Sequence, residues 1–403
     1  MFSVLASRPS SLNTVHVPFF DLSTQHGALT EVLSAAFQRV LNSGQFILGA
    51  EVEQLEAEAA AYLQVRHAIG VSSGTDALLL ALMALEIQPG DEVLCPSFTF
   101  FATAGSIARL GAKPVFVDAS PNSFNLDPRD AADKISPATR AIIPVHLFGQ
   151  AAEMQGIMAL ADKHGLTVIE DAAQAIGAHY QDQPVGSFGH FGAFSFFPTK
   201  NLGGLGDGGL LTTQDNALAA KARALRVHGE RTRYQHKYIG GNFRLDAIQA
   251  ALLRVKLKHL EAYIAKRQAH AAYYNHRLKS LDENRNNPTA METPGLTVIR
   301  PTSQSANRHS WNQYTLRLAN AQVRDRLQAY LGDQGIGSAI YYPRTLDQQP
   351  CFAAFAASGE NNHTAHQLAN TCLSLPIYPE LTDEQCAVVV DTVEHFFTEQ
   401  YGH

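Results

Sequence analysis

Residues 192–209 read Gly-Ala-Phe-Ser-Phe-Phe-Pro-Thr-Lys-Asn-Leu-Gly-Gly-Leu-Gly-Asp-Gly-Gly, with Lys200 near the middle. Before the lysine lies an apolar, β-prone run, residues 194–197, stopped by Pro198. After it, five glycines fall within the seven residues 203–209, and a second β-prone run follows at 210–213. A lysine among apolar side chains and freely turning backbone is not placed like an ordinary surface charge. Burial disfavours the ammonium form, so the pKa falls and the amine becomes a nucleophile. A Schiff-base lysine needs that property. The letters Gly204-x-Gly206-x-x-Gly209 match the dinucleotide-binding fingerprint, but that motif follows a strand and opens a helix. Here a strand is predicted directly after Gly209, which argues against a nicotinamide oxidoreductase. No Gly-Lys-Ser/Thr is present, so the run is not a P-loop. The glycines fit close approach of backbone to a bulky group held at Lys200.

Working outward, short apolar strands are predicted at 68–71, 92–95, 114–117, 141–145 and 166–170. They alternate with helices at 76–85, 102–110 and 153–164. The alternation predicts an α/β fold, a mainly parallel sheet covered by helices on both faces. Ligands of such sheets sit beyond the carboxyl ends of the strands. Residues 73–75, 97–101 and 171–174 all follow strand ends, which places them at one shared site. Upstream, helices are predicted at 21–42 and 51–63. Downstream come a helix at 215–227, a basic loop at 226–238 and a stretch at 244–281 without Pro or Gly, long enough to link two domains. A surface loop at 282–301, strands at 312–318 and 338–342, and helices at 323–334, 367–373 and 383–397 make a small α+β unit. The expected organisation is an N-terminal arm 1–17, a large domain 18–265 and a small C-terminal domain 266–403.

The chain has 403 residues, 45% of them hydrophobic and 17% charged, which suits a globular protein of two or three domains. A net charge of −6 argues against a nucleic-acid binder. Cys95, Cys351, Cys372 and Cys386 form no Cys-x-x-Cys pair, so neither a zinc ribbon nor a disulfide framework is expected, and a reduced, cytoplasmic setting is the default. Residues 1–11 do not read as a signal peptide, and no run of eighteen apolar residues predicts a membrane span. The 17 histidines include no His-Glu-x-x-His, and no metal site is expected.

Within the shared site, Ser73-Gly74-Thr75 ends a strand and opens a helix, whose free N–H groups suit a phosphate. A plain helix cap fits the same residues. Asp171 ends Thr-Val-Ile-Glu-Asp and suits a protonated ring nitrogen, or a cap. Gln174 projects to the same side if a helical turn begins there. Phe98, Phe100 and Phe101 suit either core packing or stacking on a flat ring. Arg226, Arg231, Arg233 and Lys237 suit a diphosphate, or a solvated basic helix end.

Six phrases occur in order: Ser-Gly-Thr-Asp-Ala-Leu at 73–78, Gly-Asp-Glu-Val at 90–93, Pro-Ser-Phe-Thr-Phe at 96–100, Glu-Asp-Ala-Ala-Gln at 170–174, Phe-Ser-Phe-Phe-Pro-Thr-Lys-Asn at 194–201 and Gly-Asn-Phe-Arg-Leu-Asp at 241–246. Together they resemble the DegT/DnrJ/EryC1/StrS family of sugar aminotransferases, pyridoxal-phosphate enzymes of fold type I. The resemblance spans residues 18 to about 379 and is most specific between 70 and 255. It implies Lys200 as the Schiff-base lysine, Asp171 as partner of the pyridine nitrogen and Gln174 as contact to the ring hydroxyl. It further implies Gly74, Thr75 and Ser195 as phosphate ligands and Phe100 as the stacking aromatic. Asn242 matches a phosphate ligand supplied by the neighbouring subunit, which implies a homodimer with shared sites.

The implied activity is a ping-pong transfer through a Schiff base on Lys200. The amino group passes from L-glutamate to a keto-sugar of a nucleoside diphosphate sugar. The phrase at 240–249 favours a 3-keto over a 4-keto acceptor. Arg226, Arg244, His309 and Tyr341 are the candidate substrate contacts. One branch of the family carries His in place of the lysine and removes a sugar hydroxyl, so Lys200 favours transamination over that dehydration. A non-catalytic regulatory member is the other alternative, and the presence of Lys200 and Asp171 speaks against it. One departure stands out. Relatives often read Tyr-Tyr-Pro-x-Pro-Leu-His where this chain has Tyr341-Tyr342-Pro343-Arg344-Thr345-Leu346-Asp347.

Overall fold

A computed structural model describes residues 15–283, 298–303, 306–355 and 362–401. Its strands, in chain order, are β1 (His67–Val71), β2 (Glu92–Pro96), β3 (Lys113–Val117), β4 (Thr139–Ile142), β5 (Thr167–Asp171), the pair β6 (His179–Tyr180) and β7 (Gln183–Pro184), β8 (Phe191–Ser195), β9 (Gly209–Thr213), the pair β10 (Glu230–Thr232) and β11 (Gln235–His236), β12 (Tyr314–Arg317) and β13 (Cys372–Leu375).

Seven of them form one sheet in the order β1-β9-β8-β5-β4-β2-β3. Every pairing from β3 to β8 is parallel, and β9 alone runs the other way, antiparallel to both β8 and β1. The expected mainly parallel sheet is therefore present. Successive residues of a strand point to opposite faces. Ala68 and Val168 enter one core with helices Ala50–Tyr62 and Met154–His164, while Ile69 and Ile169 enter the other with helices Gly74–Ala84 and Asn216–Leu225. Both faces are covered, which is why the strands read as near-continuous apolar runs.

The third core joins helices Leu260–Arg277, Ala321–Asp333 and Asp383–Tyr401 to the β12–β13 pair. Residues beyond 345 do not all stay with it. Leu346 and Phe352 pack into the sheet core, and Ala365, Leu368 and Ala369 pack on Phe98, Phe124 and Val145. A cut at 266 therefore does not separate the packing, because the chain returns to the large unit between 345 and 369.

Other expectations need correction. Residues 1–14 of the predicted loose arm lie outside the described residues. Val17 is fully buried and hydrogen-bonded to Gly335 and Gly337, so the arm's described end is fastened down. Of the predicted loop at 282–301, residues 284–297 lie outside the described residues. The stretch at 244–281, expected as one long helix or two joined ones, is three: Ala247–Leu257, Leu260–Arg277 and Lys279–Glu283. The strand predicted at 338–342 is a single bridge, Ala339 to Ser374. The helix predicted at 367–373 is His363–Thr371, and Cys372 to Leu375 is β13. A four-residue apolar run such as Cys-Leu-Ser-Leu cannot be told from a helix end by periodicity. Here its pairing with β12 decides.

Candidate active site

β1, β2, β5 and β8 run in one direction, so their carboxyl ends share one edge of the sheet. The stretches after them converge there. Lys200 follows β8 on a turn closed by its own N–H donating to the Phe197 carbonyl at 2.9 Å. Its neighbour Asn201 donates from Nδ2 to the Ser310 carbonyl at 2.8 Å, tying the turn to a strap of the C-terminal half. Burial pulls the Lys200 ammonium down to about 8, against the opposing pull of Asp171. A lysine so depressed is a nucleophile near neutral pH.

Asp171 closes β5 and is 4% exposed. Burial raises its carboxyl above the ordinary range, and hydrogen bonds from Thr103 and the Ala173 N–H, with the nearby Lys200 ammonium, pull the other way. Thr103 Oγ1 donates to Oδ2 at 2.8 Å and the Ala173 N–H to Oδ1 at 3.2 Å. The preceding residue, Glu170, is wholly buried and accepts N–H groups from Gly186, Phe188 and Gly189 at 2.7–2.8 Å. His146 accepts the Ala152 N–H at Nδ1, so Nε2 carries the proton and donates to Glu170 at 3.0 Å. Glu170 anchors the strand end and Asp171 faces the site.

Helix Gly74–Ala84 is apolar nearly all round and buried. Ser73 caps it by accepting the Asp76 N–H at 3.0 Å. Its amino end abuts Ser195 and Gly209. A Cβ on Gly74 would lie 2.8 Å from the Ser195 Cβ, and one on Gly209 2.5 Å from the Ser73 carbonyl. Glycine is required at both places. Free N–H groups, the helix dipole and the hydroxyls of Thr75 and Ser195 make a cradle for a phosphate.

Gln174 is fixed by both ends of its amide. Oε1 accepts the Phe148 N–H at 2.8 Å, and Nε2 donates to the Tyr342 hydroxyl at 3.0 Å. One Nε2 hydrogen remains for another acceptor. Phe100 is 55% exposed and lies 6.2 Å, ring to ring, from Tyr342. Tyr342 also meets Phe98 edge-on at 6.1 Å. An aromatic wall thus stands beside Asp171 and Gln174.

The substrate candidates divide. Arg226 is withdrawn, being 8% exposed with Nη1 donating to Glu56 Oε1 at 2.6 Å and the Gly70 carbonyl at 3.0 Å. Its guanidinium staples helix Ala50–Tyr62 to β1. His309 is also withdrawn. It is buried, stacked on Trp311 at 3.8 Å, accepts the Trp311 N–H at Nδ1, and burial pushes its pKa down to about 3. Both residue types look like ligand contacts in sequence, and only packing reveals their internal partners. Arg244 pairs by backbone with Val71 and, with the exposed Asn242, lines a cavity of about 520 Å³ shared with Ser72, Ser73 and Asp76. Tyr341 is half-buried between Phe19 and Tyr342. Thr103, His146 and Tyr342 escaped sequence reading. The one available signal was strand-end placement, since His146 follows β4 by a few residues.

The residues present fit pyridoxal phosphate: an acidic side chain for a ring nitrogen, an amide hydrogen for a ring hydroxyl, a glycine-walled cradle for the phosphate, and an amine of lowered pKa. Fold and site define a pyridoxal-phosphate-dependent aminotransferase. A profile of the DegT/DnrJ/EryC1/StrS aminotransferase family matches residues 28–394, and the chain belongs to that family. It is 46% identical to a pleiotropic regulatory protein of Geobacillus stearothermophilus, over 95% of this chain and 99% of the other. It is 44% identical to a UDP-N-acetyl-3-dehydro-alpha-D-glucosamine 3-aminotransferase of Acidithiobacillus ferrooxidans, over 94% and 97%. Among solved structures it resembles S. venezuelae DesV in complex with a ketimine intermediate. The TM-score is 0.88 at 41% identity, covering 94% of this chain and 98% of that one.

Proposed function

We propose that this enzyme moves the amino group of L-glutamate onto the 3-keto carbon of a nucleoside diphosphate sugar. The observation that carries the reading is the pairing of a desolvated Lys200 with a buried Asp171 at the strand ends. In support, the Acidithiobacillus relative is named for a UDP-linked 3-dehydro sugar. A Streptomyces venezuelae relative, 41% identical, is named for a dTDP-linked 3-amino sugar.

Bound pyridoxal phosphate supplies an electron sink for the carbanion left when a proton is removed. In this reading Asp171 holds the ring nitrogen protonated, and Thr103 holds Asp171 in place. Gln174 gives its remaining amide hydrogen to the ring hydroxyl. Gly74, Thr75 and Ser195 hold the phosphate, and Phe100 covers the ring. With the cofactor bound, the Lys200 amine would take the substrate α-proton as general base and give it up again as general acid. Arg244 and Tyr341 remain the proposed sugar-nucleotide contacts.

The working unit in this reading is a homodimer. Val32, Phe37, Leu41, Phe46 and Ile47 are each 43–55% exposed along one short stretch, an apolar patch of the kind a second copy covers. Asn242 of the partner subunit then reaches the phosphate. Among the described residues no helix is long and apolar enough to cross a membrane. The four cysteines are all free, which suits the cytoplasm.

The test supplies the pyridoxamine form of the enzyme with UDP- and dTDP-linked 3-keto and 4-keto sugars and follows the amino sugar by mass spectrometry. Conversion of 3-keto acceptors supports the reading. Exclusive use of 4-keto acceptors overturns its regiochemistry. A regulatory role has in its favour the names of two relatives, the Geobacillus pleiotropic regulatory protein and a sensory transduction protein of Saccharopolyspora erythraea, and turnover in this assay contradicts a purely regulatory protein.

A further inference from the structure

The Asp347 carboxylate is engaged on both oxygens. Ser97 Oγ donates to Oδ1 at 2.5 Å, and His366 Nε2 lies 2.7 Å from Oδ2. A carboxylate only accepts, so the His366 proton sits on Nε2. Burial pushes the Asp347 carboxyl up, but the side chains of Ser97, Thr345, His366 and Asn362 together hold the group below the usual range. His366 lies on helix His363–Thr371. That helix is itself fastened to the large unit. Asp118, just past β3, accepts the N–H groups of Thr364 and Ala365 at 3.0 and 2.7 Å. Lys134 donates to Asn362 at 2.9 Å.

Ser97 is the first residue beyond β2 and is wholly buried. Its carbonyl accepts the Leu346 N–H at 2.8 Å, so residues 346 and 347 zip onto it through backbone and side chain together. Phe98 and Phe100 follow directly, and both rings meet Tyr342, whose hydroxyl holds Gln174. A continuous set of contacts therefore runs from His366 through Asp347 and Ser97 to the aromatic wall.

We propose that Asp347 and His366 are a positioning pair. Resting on the reading above, they fix Ser97 and so aim Phe100 and Tyr342 at the cofactor ring, without touching the sugar themselves. Misplacement of a positioned group by about 1 Å costs up to about a hundredfold in rate. Breaking the pair is expected to fall within that range while leaving the chain folded.

The experiment compares Asp347→Ala, His366→Ala, Ser97→Ala and the exchanged double variant Asp347→His/His366→Asp. Asp347→Asn serves if the alanine variant does not fold. Two quantities are read: the visible circular dichroism of bound pyridoxal phosphate, which reports its asymmetric surroundings, and kcat and KM for sugar and glutamate. The single variants, Ser97→Ala included, are expected to share one altered dichroism and a kcat lowered about tenfold for both half-reactions. The exchanged pair is expected to recover both. A double variant as impaired as the singles, with a KM defect confined to the sugar, makes Asp347 a substrate contact and overturns the proposal. So do single variants with wild-type dichroism and rates. The dichroism comparison needs no turnover, so it judges the pair even if the proposed acceptor is wrong.

Discussion

Thr103 Oγ1 donates to Asp171 Oδ2 at 2.8 Å, from a helix beginning 69 residues earlier than the strand end it serves. The bond counters the burial that raises the Asp171 carboxyl. Thr103→Val removes it with little change in volume, so the Asp171 pKa moves further up and the acid limb of the kcat profile shifts to higher pH. A hydrogen bond to a charged group is worth about 1.5–3 kcal/mol, so kcat is expected to fall about tenfold or more. Stopped-flow measurement of the glutamate half-reaction across pH checks this. An unmoved acid limb goes against it.

Burial places the Lys200 ammonium at about 8 in the cofactor-free protein, below its ordinary 10.5. The neutral amine is the reactive form, so the rate of pyridoxal phosphate capture should rise with pH and level off above about 8. The sign for stability follows by linkage. Between the two pKa values the unfolded chain binds the extra proton, so the Lys200 contribution to stability grows as pH rises through that window. Lys200→Met should abolish both dependences.

Gly74→Ala puts a Cβ 2.8 Å from that of Ser195, in the floor of the phosphate cradle. Cofactor affinity is expected to fall about tenfold or more, the equivalent of one lost charge-assisted hydrogen bond. Equilibrium titration by cofactor fluorescence measures it. Unchanged affinity removes Gly74 from the phosphate site.

The Arg226–Glu56 pair has side chains only 10% and 11% exposed. Removing one member of such a pair strands the other, and Arg226→Ala is expected to cost about 3–5 kcal/mol of stability. Denaturant melts read this. The KM for the nucleotide sugar should not change in the folded variant, whereas a substrate-contacting Arg226 would raise it.

What sequence showed and what it hid have one physical cause. Lys200, Asp171 and Gly74 sit at breaks between a strand and the next element, where a change of periodicity marks the end of the sheet. Thr103, Tyr342 and the Asp347–His366 pair act across elements, and Gln174 meets Tyr342 from 168 residues away. No local pattern encodes that meeting. Arg226 and His309 misled for the converse reason. Their polarity suggested a ligand, and the fold satisfies it internally.

The most direct test records the visible absorbance of the purified protein with pyridoxal phosphate, before and after L-glutamate, beside Lys200→Ala. The wild type should show a band of lysine-bound cofactor that glutamate converts to the pyridoxamine form, and Lys200→Ala should show neither. A wild-type spectrum that glutamate leaves unchanged contradicts transamination from glutamate. A Lys200→Ala spectrum identical to the wild type contradicts the role of Lys200 itself.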